Sequence, residues 1–413
     1  MLINTFTSQN CNSGLNYTSR LPKGVFYDAK DIPRLRCAKC NHHMISKAEQ
    51  SAILYETESV SNEDIMKKIP SKQKKAMPEA VKYVWNVLKE KGIKGVTKLF
   101  FGYKIGETIA EKTEAENKQI HEVLESAYNT YIGISRKPLP TKKVIKNLAK
   151  FREELPKENQ ELVDIITNYT KIYPNDSLAQ IMRNKELYRY HDNIANAKMR
   201  LFNVPYAEHM EKMDKLAEKL PEEQKNKLLE LNDSVSSIVR NKSTSERLKR
   251  ELISEHYAEL VDGISNKNIQ RSLVSQINKM PLAEVTGDYL FCKLHRSKPT
   301  NTEDVVEFIV QPRKNTFEHV HARSKGGKDD VGNGIYMCRI CNNERADHPY
   351  PTMMRVFPEF KDNIQKQVSR LGTFIKRGSL IGYDTYPQDI KSTMKEVSGE
   401  DISIKSFLKK DNK

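Results

Sequence analysis

The sequence predicts a mainly α-helical chain with a small α+β part towards its C-terminal end. Three observations carry that expectation. Apolar residues recur at helical spacing from about Ser46 to Leu282. After Asp288 the pattern changes to short apolar runs around a glycine-rich loop, and two Cys-x-x-Cys pairs, Cys37/Cys40 and Cys338/Cys341, stand on either side of the helical region.

Residues 1 to about 36 mix Asn, Ser, Gly and Pro and read as an arm leading into the knuckle "RLRCAKCNHHMI". Beyond it, Val144, Leu148, Phe151 and Leu155 step by four, three and four. Met210, Met213, Leu216 and Leu220 do likewise, and Leu260, Ile264, Leu273 and Ile277 follow with one slip. Each set lays an apolar stripe along one helix face, a pattern that belongs to core packing between helices. Prolines 138, 140, 156, 174, 205 and 221 are expected to cut this region into helices of ordinary length, because proline cannot donate to the helix ladder. "YPNDSLAQI" and "NKSTSERL" supply N-caps. The stretch "SKQKKAMPEAVKYVWNVLKEKGIKGVTKLFFGYK" interleaves lysines with Trp85, Phe100, Phe101 and Tyr103, an arrangement able to follow a phosphate backbone.

From Asp288, "VVEFIV" (305–310) has a strand-like look, "NTFEHVHA" reads as a second strand, "SKGGKDDVGNG" as a loop and "IYMC" as a third strand; "RICNNERAD" opens a helix. Phe357, Phe360, Ile364, Val368, Leu371 and Ile375 then predict a strongly amphipathic helix, and the tail from Gly378 is weakly patterned.

The 413 residues carry a formal net charge of +15, which favours polyanionic partners and nucleic acid first among them. No run of about 18 apolar residues and no leader-like N-terminus is present, so no membrane partner is expected and a cytoplasmic location is. Six cysteines, four of them in C-x2-C pairs, read as metal ligands in a reducing compartment and not as a disulfide framework, with Cys11 an ordinary free thiol.

Hydrolysis of a phosphodiester needs a base to activate water and a divalent cation to neutralise charge as the leaving oxygen departs. In "TFEHVHARSKGGKDDVGNGIYMCRICNNERADHP", His319 is the natural base, and Glu318 and Asn342 offer hard oxygen ligands for Mg²⁺ or Mn²⁺. Adjacent strand residues point to opposite faces, so a twist or bulge is expected at Glu318–His319. His321 shares the strand face of His319, where a phosphate contact and a structural role are both open.

The stretch "EHVHARSKGGKDDVGNGIYMCRICNNERAD" resembles the HNH endonuclease motif, the ββα-metal or His-Me finger fold, in its acidic-His pair, its "SKGG" loop, the Asn fourteen residues after the His and its "CxxCN" ending. The resemblance implies an endonuclease acting on nucleic acid, with double-stranded DNA the family's usual substrate. It implies His319 as general base, Glu318 and Asn342 as ligands of the catalytic ion, Asn333 as the residue that orders the loop, and Arg345 as a group able to meet the scissile phosphate. Two positions depart from the family pattern: Glu318 stands where Asp is more usual, and Ala322 where Pro is.

Family members often carry a structural zinc held by two knuckles. Cys338 and Cys341 form the second; the first is either Cys37 with Cys40 or the closer C-x2-H pair Cys292 with His295. A four-cysteine site accounts for both C-x2-C pairs and is preferred, with His42 and His43 as exposed neighbours of the knuckle. On that reading the chain divides into an arm with the first knuckle (1–48), a helical insertion (49–285), the HNH core (286–350) and a C-terminal helix and tail (351–413). The insertion has no chemistry of its own and is open to nucleic acid, to a homodimer contact or to a protein partner, as suits phage defence or a mobile element.

Overall fold

The computed structural model describes residues 35–104, 108–242, 244–323, 326–328, 330–346, 348–376, 385–399 and 401–402. The arm with Cys11, Ser324 and Lys325 of the loop, Asp347, the start of the tail at Gly378 and the ending "KSFLKKDNK" lie outside them, as does the side chain of Phe101.

After the knuckle come α1 (Lys47–Leu54), β1 (Tyr55–Thr57), α2 (Asn62–Lys68), α3 (Ser71–Ala76), α4 (Pro78–Lys104, broken at Gly92), α5 (Glu114–Ser135) and β2 (Arg136–Pro138). Strands β1 and β2 pair antiparallel, Tyr55 opposite Pro138, so the chain between them is an excursion closed at its base. Helices α2, α4 and α5 bury their own core around Val84, Leu88, Val123 and Leu124. The lysine-rich stretch belongs here, and Trp85, Phe100 and Tyr103 pack on its core. Phe100 is buried and stacks on Tyr128 at 4.9 Å, while Trp85 and Tyr103 pack against the cluster. The expected aromatic-lysine surface is therefore one face of a small helical core.

Next come α6 (Thr141–Ala149), α7 (Lys157–Ile172), α8 (Leu178–Arg183), α9 (Lys185–Ala217), α10 (Glu222–Val239), α11 (Glu246–Gly263), α12 (Lys267–Lys279), α13 (Gly287–Arg296) and α14 (Thr302–Val310). Helices α1, α6 to α8, α13 and α14 and the start of α9 share one core; the rest of α9 shares another with α10, α11 and α12. Ser177 caps α8 in a capping box with Gln180, and Ser245 caps α11, as the sequence indicates.

Two expectations are corrected. Pro205 does not end a helix: α9 runs through it from Lys185 to Ala217. Leu187 and His191 anchor one end of α9 in the first core and Tyr206 and Met213 the other end in the second, while Leu201, whose carbonyl loses its partner four residues on, is 74% exposed, where water can satisfy it. The run "VVEFIV" is the helix α14 and not a strand. Asn301 and Asp304 form a capping box ahead of it, and Val305, Val306, Ile309 and Val310 bury at helical spacing, which overrides the β preference of valine and isoleucine.

The chain then forms β3 (Asn315–His319), β4 (Gly334–Cys338), α15 (Arg339–Arg345), α16 (Tyr350–Val356), α17 (Glu359–Lys376) and α18 (Tyr386–Ser398). Strands β3 and β4 pair antiparallel, from Asn315 opposite Cys338 to His319 opposite Gly334. Tyr336, Met337, Phe360, Ile364, Val368 and Leu371 fill a core that also takes Leu35, Ala38 and Met44 from the N-terminal knuckle and Leu248 from α11. The chain leaves this unit at Ile45 and returns at Lys314, two residues joined in a parallel bridge, with Ile45 N donating to the Arg313 carbonyl at 2.8 Å. Among the described residues no helix is long and apolar enough to cross a membrane.

Candidate active site and metal centre

The knuckle turns at Cys37 to Cys40, with Asn41 at positive φ closing it, and packs against the end of β4 and the start of α15. Cys37, Cys40, Cys338 and Cys341 come together so that their Sγ atoms all lie within 4.8 Å of one another. Cys40 Sγ stands 3.8 Å from Cys338 Sγ. A tetrahedral zinc with Zn–S of about 2.3 Å sets its sulfurs roughly 3.8 Å apart, so the donor chemistry and the spacing both suit zinc. The surroundings suit thiolates as well. Cys338 N donates to Cys37 Sγ at 3.3 Å, and Arg313 Nη1 donates to Cys40 Sγ at 3.3 Å and to Cys338 Sγ at 3.4 Å. Hydrogen bonds from Cys341, Cys37 and Cys40 hold the Cys338 thiol well below its ordinary range, while burial pushes Cys37 and the hydrogen bond with Cys338 pushes Cys341 well above it.

The alternative pair is elsewhere. Cys292 is buried on α13 with its thiol pushed up to about 11 by burial, and His295 Nδ1 donates to the Met182 carbonyl at 2.6 Å while its ring stacks on Tyr188. His42 and His43 are ties and not bystanders: His42 Nδ1 and the His43 N–H both donate to Glu154 Oε2, and His43 Nε2 pairs with Glu49 Oε1 at 2.9 Å.

In the hairpin, the ladder runs through Glu318 and His319 in unbroken register, so the expected bulge is not there and the two side chains take opposite faces. His319 is the last residue of β3. Phe317, two residues before it on the same face, sets its ring edge-on to the imidazole at 5.0 Å and lies across Gly334 on the facing strand. A Cβ at Gly334 would overlap the Phe317 ring, so glycine is what lets that aromatic support the histidine.

Beyond the strand, Asn333 is buried and staples the loop: it accepts from His321 N at 2.7 Å and donates to the His321 and Lys328 carbonyls at 3.0 and 2.8 Å. Gly327 fits beneath His321 only because it has no side chain. His321 is thus held by its backbone, past the end of β3.

On the helix side, Asn342 Nδ2 donates to Thr316 Oγ1 at 3.0 Å and to the Phe317 carbonyl at 3.1 Å. Thr316 spends its own hydroxyl proton on the Met337 carbonyl at 2.7 Å, which obliges it to accept from Asn342 and fixes the amide orientation. The Asn342 amide oxygen is left for another partner.

Glu318 and Arg345 differ from expectation. Glu318 is buried and forms an ion pair with Arg345, itself only 4% exposed, whose Nη2 also donates to the Val320 carbonyl at 3.2 Å and whose guanidinium lies 4.5 Å from the centre of the Tyr350 ring. Arg345 thus lies in the interior, held by Glu318 and the Val320 carbonyl. Burial pushes the Glu318 carboxyl up to about 7 against the pull of that guanidinium.

Sequence reading also missed the groups that fasten the parts together. Lys39 of the knuckle pairs in the interior with Glu344 of α15, whose other oxygen accepts from Ser245 N at 2.9 Å. Asn363 and Gln367 of α17 bind the carbonyls of Lys39, Arg36 and Tyr336. Their signal was present: they stand four apart, next to the apolar stripe of α17.

An antiparallel hairpin, a stapled loop and a crossing helix over a four-cysteine cluster define a knuckle-based ββα unit, with a metal-binding site built from both ends of the chain. Residues 305–348 match the family described as HNH endonuclease. No curated protein and no solved structure matches the chain.

Proposed function

We propose that the protein is a metal-dependent HNH endonuclease that hydrolyses phosphodiester bonds, with duplex DNA as substrate. The observation that carries this reading is the placement of His319 at the end of β3, with the Asn333 staple on one side and Asn342 fixed on the crossing helix, inside a segment that matches the HNH family. His319 takes the proton from the attacking water. Because Glu318 and His319 lie on opposite faces, the scissile phosphate has to sit across the strand end. Mg²⁺ or Mn²⁺ held by Glu318 and the Asn342 oxygen would supply charge neutralisation at the departing oxygen. Both are hard oxygen donors, and both belong to the layer between β3 and α15. Zinc on the four cysteines is structural, and the helical region 49–285 is an insertion into the nuclease unit.

A second reading has its own observation. With Glu318 paired to Arg345, the carboxylate is engaged, which suits an effector that stays silent until a partner or substrate draws the two apart. DNA is favoured over RNA by analogy with the fold family alone. The test is incubation of the purified protein with plasmid DNA and with RNA in Mg²⁺, Mn²⁺ or EDTA. Cleavage abolished by EDTA supports the nuclease; salt-sensitive binding without cleavage under any condition replaces it with a binding module.

A further inference from the structure

The helical insertion carries a groove of about 490 Å³ between the C-terminal half of α9 and α12. Its charged lining is Lys212 and Lys215 from α9, Lys219 from the turn just past its end and Arg271 from α12, with Ser272 and Ser275 beside them. Among the described residues none of the four cations is in an ion pair, although acidic residues are close in sequence. Asp214 is turned to Asn232 at 3.0 Å and Glu218 to Lys225 at 3.0 Å, both on α10, the opposite side of α9; Glu208 and Glu211 close no pair with the lysines. Helix α12 has Lys267, Arg271 and Lys279 and no acidic residue.

Asp214 and Glu218 are thus turned away from the groove, while Glu208 and Glu211 stand four residues before Lys212 and Lys215 on the same side of α9, and α12 adds cations without an acid. The groups in the groove donate hydrogen bonds and carry positive charge, and no aromatic ring is there for a base to stack on. Lys212 and Lys215 stand one turn apart at the end of α9, Lys219 follows in the turn just past it, and Arg271 faces them from α12, so several phosphates of one strand, spaced about 3.4 Å along the duplex axis, can be met at once.

We propose that this groove binds the sugar-phosphate backbone of the nucleic acid on which the nuclease domain acts, without reading its sequence. The substrate's identity rests on the nuclease reading above; the groove's chemistry does not. The bundle is also well fastened to the nuclease. Helix α11 buries Ile253 and Tyr257 in the bundle and Leu248 in the nuclease core, and Arg355 of α16 pairs with Glu251 and Glu255 of α11. A backbone held in the groove is therefore held at a fixed offset from His319.

The test measures binding of a fluorescent 30-base-pair duplex by anisotropy across a salt series, in a His319→Ala background so that the probe survives. One set of substitutions is Lys212→Gln, Lys215→Gln, Lys219→Gln and Arg271→Gln; the charge-matched control is Lys91→Gln, Lys94→Gln, Lys142→Gln and Lys146→Gln, all exposed lysines on other helices. Melting curves confirm that both sets fold. The groove set is expected to weaken binding at least tenfold more than the control and to reduce the salt slope by about 3, near 0.9 for each phosphate that is no longer neutralised. Equal losses in the two sets overturn the proposal, as does an absence of duplex binding by the parent protein. Cleavage by the wild-type protein is measured separately: a cutting enzyme with equal losses sinks the groove alone, and a non-cutting protein with the expected difference sinks the nuclease alone.

Discussion

Glu318 of β3 and Arg345 of α15 meet as a buried ion pair in the layer between strand and helix. Removing one partner of such a pair strands the other charge, which costs about 3 kcal/mol. Arg345→Met should therefore lose up to about that much stability in urea unfolding at alkaline pH, since burial pushes the Glu318 carboxyl up to about 7 even with the guanidinium beside it, and its loss raises the carboxyl further. Adding Glu318→Gln should recover most of it. Mn²⁺ should then raise the melting temperature of Arg345→Met more than that of the wild type, since the carboxylate there lacks a counter-charge. A cost below about 1 kcal/mol would show that the pair contributes little and that Glu318 is already available to a cation.

The zinc assignment is separable by composition. Cys37→Ser should lose most bound zinc by atomic absorption, and Cys292→Ser should keep it. Retained zinc in the first variant with lost zinc in the second would move the site to Cys292 and His295.

Asn333 ties residues 321 and 328 through three hydrogen bonds. At about 1 kcal/mol net for each bond, Asn333→Ala should cost about 3 kcal/mol, and limited trypsin digestion should cut faster after Arg323 and Lys328 than elsewhere. Unchanged cleavage kinetics at both sites would mean that Asn333 does not order the loop.

Within the insertion, Asp288 accepts from His191 Nδ1 and from Lys198 Nζ, both at 2.7 Å, and Tyr169 meets His191 Nε2 at 2.8 Å, joining α7, α9 and α13. Burial raises the Asp288 carboxyl, but the bonds from Lys198 and His191 outweigh it and hold it below its ordinary value. A carboxyl depressed in the folded state stabilises above its unfolded pKa and loses that contribution as pH falls through the folded one. Asp288→Asn should thus cost about 3 kcal/mol at pH 7, with the gap to wild type closing as pH drops past about 4. An equal gap at pH 7 and pH 3 would remove the ionised carboxylate as its source.

Much of this was legible in the sequence alone. The hairpin, its loop and its helix follow from strand-forming runs around a glycine-rich turn, and the amphipathic helix α17 follows from its apolar spacing. What sequence concealed were tertiary outcomes. The run "VVEFIV" has a strand's composition and a helix's caps, and only its packing beside α1 and α8 decides between them. Pro205 stays helical because a core holds each side of it. Phe100 looks like a surface residue until Tyr128 of α5 covers it. Arg345 reads as a phosphate contact because nothing local shows that Glu318 faces the same layer. The groove of Lys212 and Arg271 joins two helices more than 50 residues apart, so neither stretch signals it alone.

The most direct test concerns His319. Purified His319→Ala should retain its zinc and melt within about 2 °C of wild type, since His319 is half-exposed at a strand end. Its cleavage of plasmid DNA in Mg²⁺ or Mn²⁺ should fall by at least about 100-fold, the usual contribution of a general base. Cleavage at the wild-type rate would contradict the assignment of His319 as the base and, with it, the proposed reaction.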